Sequence, residues 1–298
     1  MGQTKKLRGH LKSPYAYYLM LPALLVYALL FVLPALSGLL LSFFNVKSFK
    51  LSTITFAGLE NYVTVLRNPY FSIAIKNTLL FAVVTTLGKV IFGMALALLV
   101  NQRFHGVNYM RTVFFLPAVL NNVAVGLVFR SMMHPSGLIN QTLSAMGLDI
   151  LMHNWLTDAK IAIFSCAFVE IWKWTGYTMV IFLAGLQSID KTYYEAAQLD
   201  GATYWQQLRS VTIPLIMPAL NNAVVISVVG GLKVFDIVQS LTNGGPGNAT
   251  SVFGTPIYSS FSSGSYGRGC AASMILTFFV LLIALPTNRF ISRKEVEV

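Results

Sequence analysis

Residues 188–220 form a largely polar loop that follows one long apolar run and leads into the next, and they read SIDKTYYEAAQLDGATYWQQLRSVTIPLIMPAL. The first part predicts a short helix over 191–199, and the Asp190 side chain is placed to cap its first turn. The small residues Ala196 and Ala197 would let this helix lie closely in a groove of another protein, a common mode of docking. The stretch therefore predicts a segment that docks onto a partner beside the membrane.

The second part of this stretch predicts a turn and another helix. Gly201 can adopt the positive φ that reverses the chain direction. We expect a second helix over 203–211, and Pro214 suits the first turn of the helix that follows. The stretch is thus expected to fold as two short helices between two membrane spans.

The composition of the whole chain indicates an integral membrane protein. Of its 298 residues, 55% are apolar and 10% are charged, and the mean hydropathy is +0.67. Soluble domains average about 25% charged residues, and this hydrophobicity excludes disorder. The net charge of +11 is spread along the chain, so no polar domain carries the basic cluster of a nucleic-acid-binding module. Two cysteines exclude a disulfide scaffold or a cysteine-rich zinc site.

Six apolar runs are long enough to cross a bilayer, which takes about 20 residues. The runs are continuous, whereas the strands of a membrane barrel alternate in polarity over about 10 residues. The predicted fold class is therefore an all-α membrane protein with six transmembrane helices. The spans are expected at about 15–44, 73–100, 112–133, 161–186, 213–238 and 271–290.

The charges flanking the spans predict the orientation. The basic N-terminal tail precedes an apolar run about twice the length of a signal-peptide core, with no small-residue cleavage site after it, so we expect a retained first helix. Cytoplasmic segments are enriched in Lys and Arg, which places the tails 1–14 and 291–298 in the cytoplasm and a domain over 15–290 in the cytoplasmic membrane. The basic residues of the first tail are Lys5, Lys6, Arg8 and Lys12.

Charged residues inside the predicted spans include Lys89, Glu170, Lys173, Lys233 and Asp236. Each costs about 2.5–3.5 kcal/mol at the middle of a bilayer, so we expect them to face the bundle interior or water. Glu170 and Lys173 are three residues apart, as are Lys233 and Asp236, and this spacing permits ion pairs within one helix. Lys89 has no partner on its own helix.

The fourth span carries a polar and aromatic face. Glu170, Lys173, Trp174 and Tyr177 fall at i, i+3, i+4 and i+7 and share one side of the helix. A sugar suits this mixture, because its hydroxyls take hydrogen bonds and its C–H face stacks on a ring. The alternative interpretation is that these groups hold helices together or belong to an interfacial aromatic belt.

Neighbouring spans add weaker candidates for a substrate pathway. Ser227 and Gly231 are four residues apart on the fifth span, and Asn121 and Asn122 supply amides in the third. No catalytic or metal-binding pattern accompanies them. Gly185 with Lys191 imitates part of a phosphate-binding loop, but an aspartate replaces the required second glycine. The four histidines lie apart without metal-ligand spacing, so no metal and no cofactor is expected in this chain.

The docking stretch resembles the EAA loop of ABC-importer permeases. In that family the sequence Glu-Ala-Ala is followed after three residues by Gly and after nine more by Ile-x-Leu-Pro, and here 195–197, Gly201 and 211–214 match, with Val and Ile as mild departures. Further stretches are similar to the binding-protein-dependent, maltose-type sugar branch. They are WKWTGY at 172–177, FLAGLQ at 182–187, FDI at 235–237, LTNGGP at 241–246 and GLENY at 58–62.

The resemblance implies a type I ABC importer permease fold and a non-catalytic role. The partners would be a second homologous permease, two ATP-binding cassette ATPases that bind ATP and Mg, an extracytoplasmic solute-binding protein, a carbohydrate and membrane lipid, with no nucleic acid. The loop 188–212 would couple to the ATPase through Glu195, Ala196, Ala197, Asp200, Gly201 and Pro214. The pathway residues would be Glu170, Lys173, Trp174, Tyr177, Ser227, Gly231 and Asn121.

Three functions follow from these expectations. The first is a permease subunit of an ATP-driven carbohydrate importer, or of the same importer type for another solute such as glycerol phosphate. The second is an ion-coupled secondary transporter in which Lys89, Glu170 or Asp236 relays protons. The third, an intramembrane enzyme, would need paired acids, yet each of the two intramembrane acids has a lysine nearby.

Overall fold

The computed structural model describes residues 15–47, 54–102 and 104–293. The predicted N-terminal tail 1–14 with its four basic residues lies outside these ranges, as does the greater part of the predicted C-terminal tail, 294–298.

Helices dominate the structure, as the sequence predicts. One short antiparallel ribbon, β1 (Phe44–Asn45) and β2 (Thr55–Phe56), is an addition that the all-α prediction did not include. Single π or 3₁₀ turns cover Ala28–Val32, Asp149–Leu151 and Leu208–Thr212. The α-helices are α1 (Tyr15–Tyr27), α2 (Leu33–Leu41), α3 (Glu60–Arg67), α4 (Pro69–Val100), α5 (Val107–Val119), α6 (Asn122–Met132), α7 (Leu138–Ala145), α8 (Ala162–Ser188), α9 (Lys191–Leu199), α10 (Tyr204–Gln207), α11 (Ile213–Leu215), α12 (Met217–Leu232), α13 (Asp236–Thr242), α14 (Gly254–Ser262) and α15 (Tyr266–Ser292).

Three helical segments of the described chain are long and apolar enough to cross a membrane: Met20–Leu41, Pro69–Val100 and Tyr266–Ser292. They correspond to the predicted first, second and sixth spans. Two bent pairs raise the number to five if each pair is one span. The predicted fourth span forms α8, which has 27 residues and carries buried Glu170 and Lys173. The count of six spans therefore stays a prediction.

The predicted third span is not one straight helix. α5 and α6 meet at an angle of 96°, and the backbone leaves the helical region at Leu120 and Asn121. The Asn121 side chain accepts hydrogen bonds from the N–H groups of Val123 and Ala124, so it caps α6 and begins a new helix there. The expectation of a continuous span over 112–133 was wrong because hydropathy does not register a capping residue.

The predicted fifth span is also shorter than expected. α12 begins at Met217 and ends at Leu232, and the chain breaks before α13 starts at Asp236. Lys233 is the C-terminal cap of α12, so Lys233 and Asp236 belong to different helices and form no ion pair. The predicted helix over 213–238 and its intrahelical pair were therefore wrong.

α8 is the central helix of the bundle and packs most extensively against α4, with α5, α12 and α13 around it. Small residues permit these close approaches, as in other membrane bundles. A Cβ atom on Gly93 of α4 would lie 2.9 Å from Thr178 on α8, and a Cβ atom on Gly231 of α12 would lie 2.7 Å from the Cα of Ala82. The cysteines Cys166 and Cys270 are both buried and unpaired.

Candidate functional site

A cavity of 490 Å³ lies between α4, α6, α8, α12 and the break before α13. This volume falls in the usual range for small-molecule sites, about 300–1,000 Å³. The polar face of α8 forms one wall, and the break between α12 and α13 forms another. The polar and aromatic lining residues are Lys89, Asn122, Glu170, Trp174, Tyr177, Thr178, Ser227, Lys233, Phe235 and Asp236.

A buried ion pair crosses from α4 to α8 at the edge of this cavity. Lys89 Nζ lies 3.4 Å from Glu170 Oε1, and the two residues are 3% and 5% exposed. Within the described ranges no other ion pair is formed. The intramembrane lysine without a partner on its own helix therefore finds one on α8, and the pair that spacing permits between Glu170 and Lys173 does not form.

Lys173 points away from the cavity. Its Nζ donates a hydrogen bond of 3.2 Å to the carbonyl oxygen of Ala118 and lies 4.3 Å from the centre of the Trp174 ring. Ala118 belongs to the last turn of α5, where carbonyls lack helical partners and a cation is favoured by the helix dipole. Lys173 thus fastens the end of α5 to α8 and supports one face of the indole.

Two aromatic rings present themselves to the cavity from α8. The rings of Trp174 and Tyr177 lie 5.9 Å apart and nearly perpendicular, at 89°. This edge-to-face arrangement is a favoured one for aromatic pairs and holds both rings in place. Because the Lys173 ammonium occupies a position over the indole, the two rings form a rigid apolar surface beside hydrogen-bonding groups.

The opposite wall carries amides and charges at helix ends. Asn122 begins α6, and its Nδ2 donates a hydrogen bond of 3.2 Å to Asp236 Oδ2 at the start of α13. The Asn122 Oδ1 is buried and finds no hydrogen-bond partner in the described part of the chain. Buried acceptors of this kind are usually satisfied, which makes the Asn122 oxygen a candidate acceptor for a bound hydroxyl group.

The structure brings together part of the predicted pathway set. Glu170, Trp174, Tyr177 and Ser227 line the cavity. Three predicted residues lie elsewhere: Lys173 contacts α5, Gly231 packs against α4, and Asn121 caps α6. Asn122, which the sequence predicted only as a weaker candidate, also lines the cavity. The lining residues that the predicted pathway omitted include Lys89, Thr178, Gly230, Lys233 and Asp236, and the cost of intramembrane charge was the signal for three of them. Substrate contact by any of these residues stays a prediction.

The segment 188–212 begins as the sequence predicts. α9 covers Lys191–Leu199, and the Asp190 side chain accepts a hydrogen bond of 2.9 Å from the Thr192 N–H. Hydrogen bonds from the Thr192 N–H and hydroxyl keep the pKa of the Asp190 carboxyl below its ordinary value. Gly201 has a φ of +75° and nothing packs around it, so its role is conformational.

The rest of this segment departs from the prediction in detail. The helix expected over 203–211 is α10 followed by a π turn, and the helical stretch runs on through α11 to Leu215. Thr203 and Gln206 form a capping box at its start. Pro214 lies in the first turn of α11, whereas the long helix α12 starts only at Met217.

The surface of this segment is apolar at its tip. Leu199 is 91% exposed and Trp205 is 74% exposed, with Tyr204 beside them. Glu195, Ala196 and Asp200 are also exposed, and Ala197 is half-buried. Large apolar side chains grouped on a surface commonly mark an interaction site. In the described ranges no group of three or more His, Cys, Asp or Glu side chains is arranged to hold a metal ion.

Comparison with known proteins assigns the chain to a family. Residues 89–293 match the family of inner membrane components of binding-protein-dependent transport systems. The chain belongs to this family. The chain is 33% identical over 292 residues to the trehalose/maltose transport system permease protein of Thermococcus litoralis. The match covers 96% of this chain and 97% of the relative. It is 32% identical over 279 residues to the lactose transport system permease protein of Rhizobium radiobacter, covering 92% of each.

A solved structure extends the family assignment to the fold. A chain of a bacterial ABC transporter that imports the acidic polysaccharide alginate is 28% identical to this inner membrane component, with a TM-score of 0.80 and coverage of 94% of this chain and 95% of that chain. This inner membrane component therefore has the helical type I ABC importer permease fold.

Proposed function

We propose that this chain is the permease subunit of an ATP-driven importer of carbohydrates. The observation that carries the proposal is its similarity, over nearly its whole length, to permeases named for trehalose/maltose and lactose transport. The cavity agrees with a sugar ligand, because Trp174 and Tyr177 offer rings while Asn122 and Ser227 offer uncharged hydrogen-bonding groups. Glu170 completes the set of α8 residues that we place beside the substrate.

The proposed importer divides the work among several subunits. This chain forms half of the translocation pathway, and a second homologous permease forms the other half. Two ATPase subunits bind ATP and Mg, and the segment 188–212, whose exposed tip supports this role, docks in a cleft of an ATPase subunit. An extracytoplasmic binding protein delivers the sugar from the other side. A complex with an alginate pentasaccharide-bound periplasmic protein is known for a structure with a TM-score of 0.80 to this chain.

The proposed topology has six crossings with both termini in the cytoplasm of a multi-pass cytoplasmic-membrane protein. The 27-residue helix α8 is about 40 Å long at 1.5 Å per residue, long enough to cross. It supplies a crossing between the bent pair α5–α6 and the bent pair that ends in α12. The segment 188–212, at the end of α8, then lies in the cytoplasm.

An anionic solute is a second candidate for the same importer type. Lys233 is exposed and lines the cavity, and no carboxylate in the described residues lies within ion-pair distance of it. The phosphate group of a phosphorylated polyol such as glycerol phosphate would supply a negative charge to pair with Lys233. Uptake assays with sugar and with glycerol phosphate distinguish the two candidates directly.

The proposal is tested by isolating the tagged chain from its native cells in mild detergent. We expect a second permease and a P-loop ATPase to accompany it. Glu195→Lys and Gly201→Asp should each lower recovery of the ATPase about tenfold, equivalent to about 1.4 kcal/mol of binding free energy. Glu195→Lys reverses an exposed charge, and Gly201→Asp places a side chain on a residue with left-handed backbone conformation.

The matched control is Gly147→Asp. Gly147 also has a positive φ, +72°, and nothing packs around it, but it lies in the turn after α7, away from the segment 188–212. This variant should recover the ATPase as wild type does. Recovery of the tagged chain alone, together with uptake that persists in ATP-depleted cells, would contradict the proposal and support an ion-coupled transporter.

A further inference from the structure

A second cavity lies at the end of the bundle opposite the segment 188–212. It has a volume of 550 Å³ and is formed by the start of α4, α13, the turn after α13, and α14. None of the described residues that line it is charged, and the lining consists of amides, hydroxyls and aromatic rings. Its principal members are Asn68, Tyr70, Gln239, Asn243, Tyr258 and Ser259.

The Gln239 side chain has unused hydrogen-bonding capacity. Its amide nitrogen donates to Asn243 Oδ1, while its Oε1 is buried and lacks a hydrogen-bond partner in the described chain. Exchanging nitrogen and oxygen in both amides preserves the bond between them and leaves a buried N–H group unpartnered instead. In either assignment one polar group of Gln239 lacks a hydrogen-bond partner among the described residues. A sugar hydroxyl can fill this place, because it can both donate and accept a hydrogen bond.

The walls of this second cavity are held rigidly to the bundle. The Asn77 side-chain nitrogen of α4 donates to the backbone oxygens of Asn248, Ala249 and Ser251 at 3.3, 3.0 and 3.0 Å. The Phe253 N–H donates a hydrogen bond of 2.8 Å to the Thr78 hydroxyl. A site built on a fixed frame loses little conformational entropy on binding.

An aromatic pair joins the linings of the two cavities. Phe235 lines the 490 Å³ cavity in which we place the substrate (the substrate cavity), and Tyr258 lines the second one. Their rings lie 5.3 Å apart at 39°. Gln239 stands one helical turn after Asp236, which faces the substrate cavity. The second cavity therefore leads toward the first along α13.

We propose that the second cavity is an entry site for carbohydrate, occupied before the sugar passes to the substrate cavity. This inference rests on the proposed function. Uncharged hydrogen-bonding groups beside Tyr70 and Tyr258 suit a neutral saccharide, whereas an anion would find no Lys or Arg in the described lining. Passage past Phe235 and Tyr258 would require these rings to separate.

The test is sugar protection of an introduced cysteine. The complete importer is reconstituted with Ser259→Cys or, as a matched control, Ser136→Cys, an exposed serine near the start of α7 that does not line the second cavity. ATP-driven uptake of maltose, trehalose and lactose is measured first with the binding protein present. The transported sugar, at about 50 mM and without binding protein, is then added during labelling with a membrane-impermeant maleimide.

We expect the sugar to lower the labelling rate of Ser259→Cys about fivefold, the factor 1 + [L]/Kd for a site in which the sugar at concentration [L] blocks the cysteine. The labelling rate of Ser136→Cys should not change. Adding Gln239→Leu to Ser259→Cys should abolish the protection.

If a transported sugar left the labelling of Ser259→Cys unchanged, the entry site would be overturned while the importer function stands. Protection by ligand-free binding protein but not by sugar would overturn it in favour of a protein-docking surface. Failure of the wild type to transport any of the three sugars would overturn the proposed function for them, and the entry site with it.

Discussion

Lys89 and Glu170 show how a single buried residue depends on its partner. Removing one member of a buried ion pair leaves the other charge uncompensated and costs about 3–5 kcal/mol, whereas replacing both with apolar groups is often neutral. We therefore expect Glu170→Met to destabilise the folded chain by about that amount, because the Lys89 ammonium would stay buried between α4 and α8. Unfolding by titration with SDS measures the loss.

The double variant Lys89→Met with Glu170→Met should recover most of this stability, and the non-additivity of the two changes is the signature of the pair. Lys76→Met is the matched control, since Lys76 lies on the same helix but is exposed. A loss of stability in the double variant equal to the sum of the two single losses would show that the two side chains stabilise the bundle independently.

Lys173 marks the limit of sequence reasoning at the scale of the residue. Its spacing from Glu170 and Trp174 places it on the polar side of α8, and that much is visible in the sequence. Its hydrogen bond to the Ala118 carbonyl is not, because the bond depends on where α5 ends in space. A helical period assigns a residue to a face but does not reveal which neighbouring helix that face meets.

At the scale of the element, two adjacent glycines of α12 provide a matched comparison. A Cβ atom on Gly231 would lie 2.7 Å from the Ala82 backbone, while one on Gly230 would meet nothing within 4 Å. We expect Gly231→Ala to separate α12 from α4 and destabilise the chain by about 1–3 kcal/mol, the usual effect of overpacking. Gly230→Ala should be neutral or slightly stabilising, because alanine is the better helix former.

The measurement is again SDS-induced unfolding, supplemented by recovery of the second permease. If both alanine variants behave alike, the close packing of α12 on α4 is not a determinant of stability. Gly230 lines the substrate cavity, so a change in uptake with unchanged stability would locate its role there.

The elements themselves were predictable to different degrees. The bounds of α9 agree with the prediction because local signals, the Asp190 cap and Gly201, determine both ends. The bend at Asn121 and the break after Leu232 were missed, since long apolar runs on both sides of each interruption keep the average hydropathy high. Asn122 and residues 233–237 of the cavity lining lie at these two interruptions, which is why the α8 wall was predicted more fully than the opposite wall.

At the scale of the whole molecule, the second cavity, the substrate cavity and the segment 188–212 follow one another along α4. The second cavity includes Phe71 near the start of α4, and Asn101 at the other end of that helix borders the segment 188–212 with Ile189 and Lys191. α4 has 32 residues and is about 48 Å long. The segment 188–212 and the proposed entry site are thus at opposite ends of a helix long enough to cross the bilayer, as vectorial transport requires.

This arrangement predicts the sidedness of three exposed serines. In right-side-out membrane vesicles, Ser136→Cys should react with a membrane-impermeant maleimide, whereas Ser210→Cys and Ser292→Cys should react only after the vesicles are opened. The buried native cysteines provide a low background. Because the six proposed crossings place the end of α15 on the same side as the segment 188–212, Ser210→Cys and Ser292→Cys must behave alike. If Ser292→Cys reacted in sealed vesicles while Ser210→Cys did not, the chain would cross the membrane an odd number of times after the segment 188–212. The bent pair ending in α12 would then be a re-entrant loop.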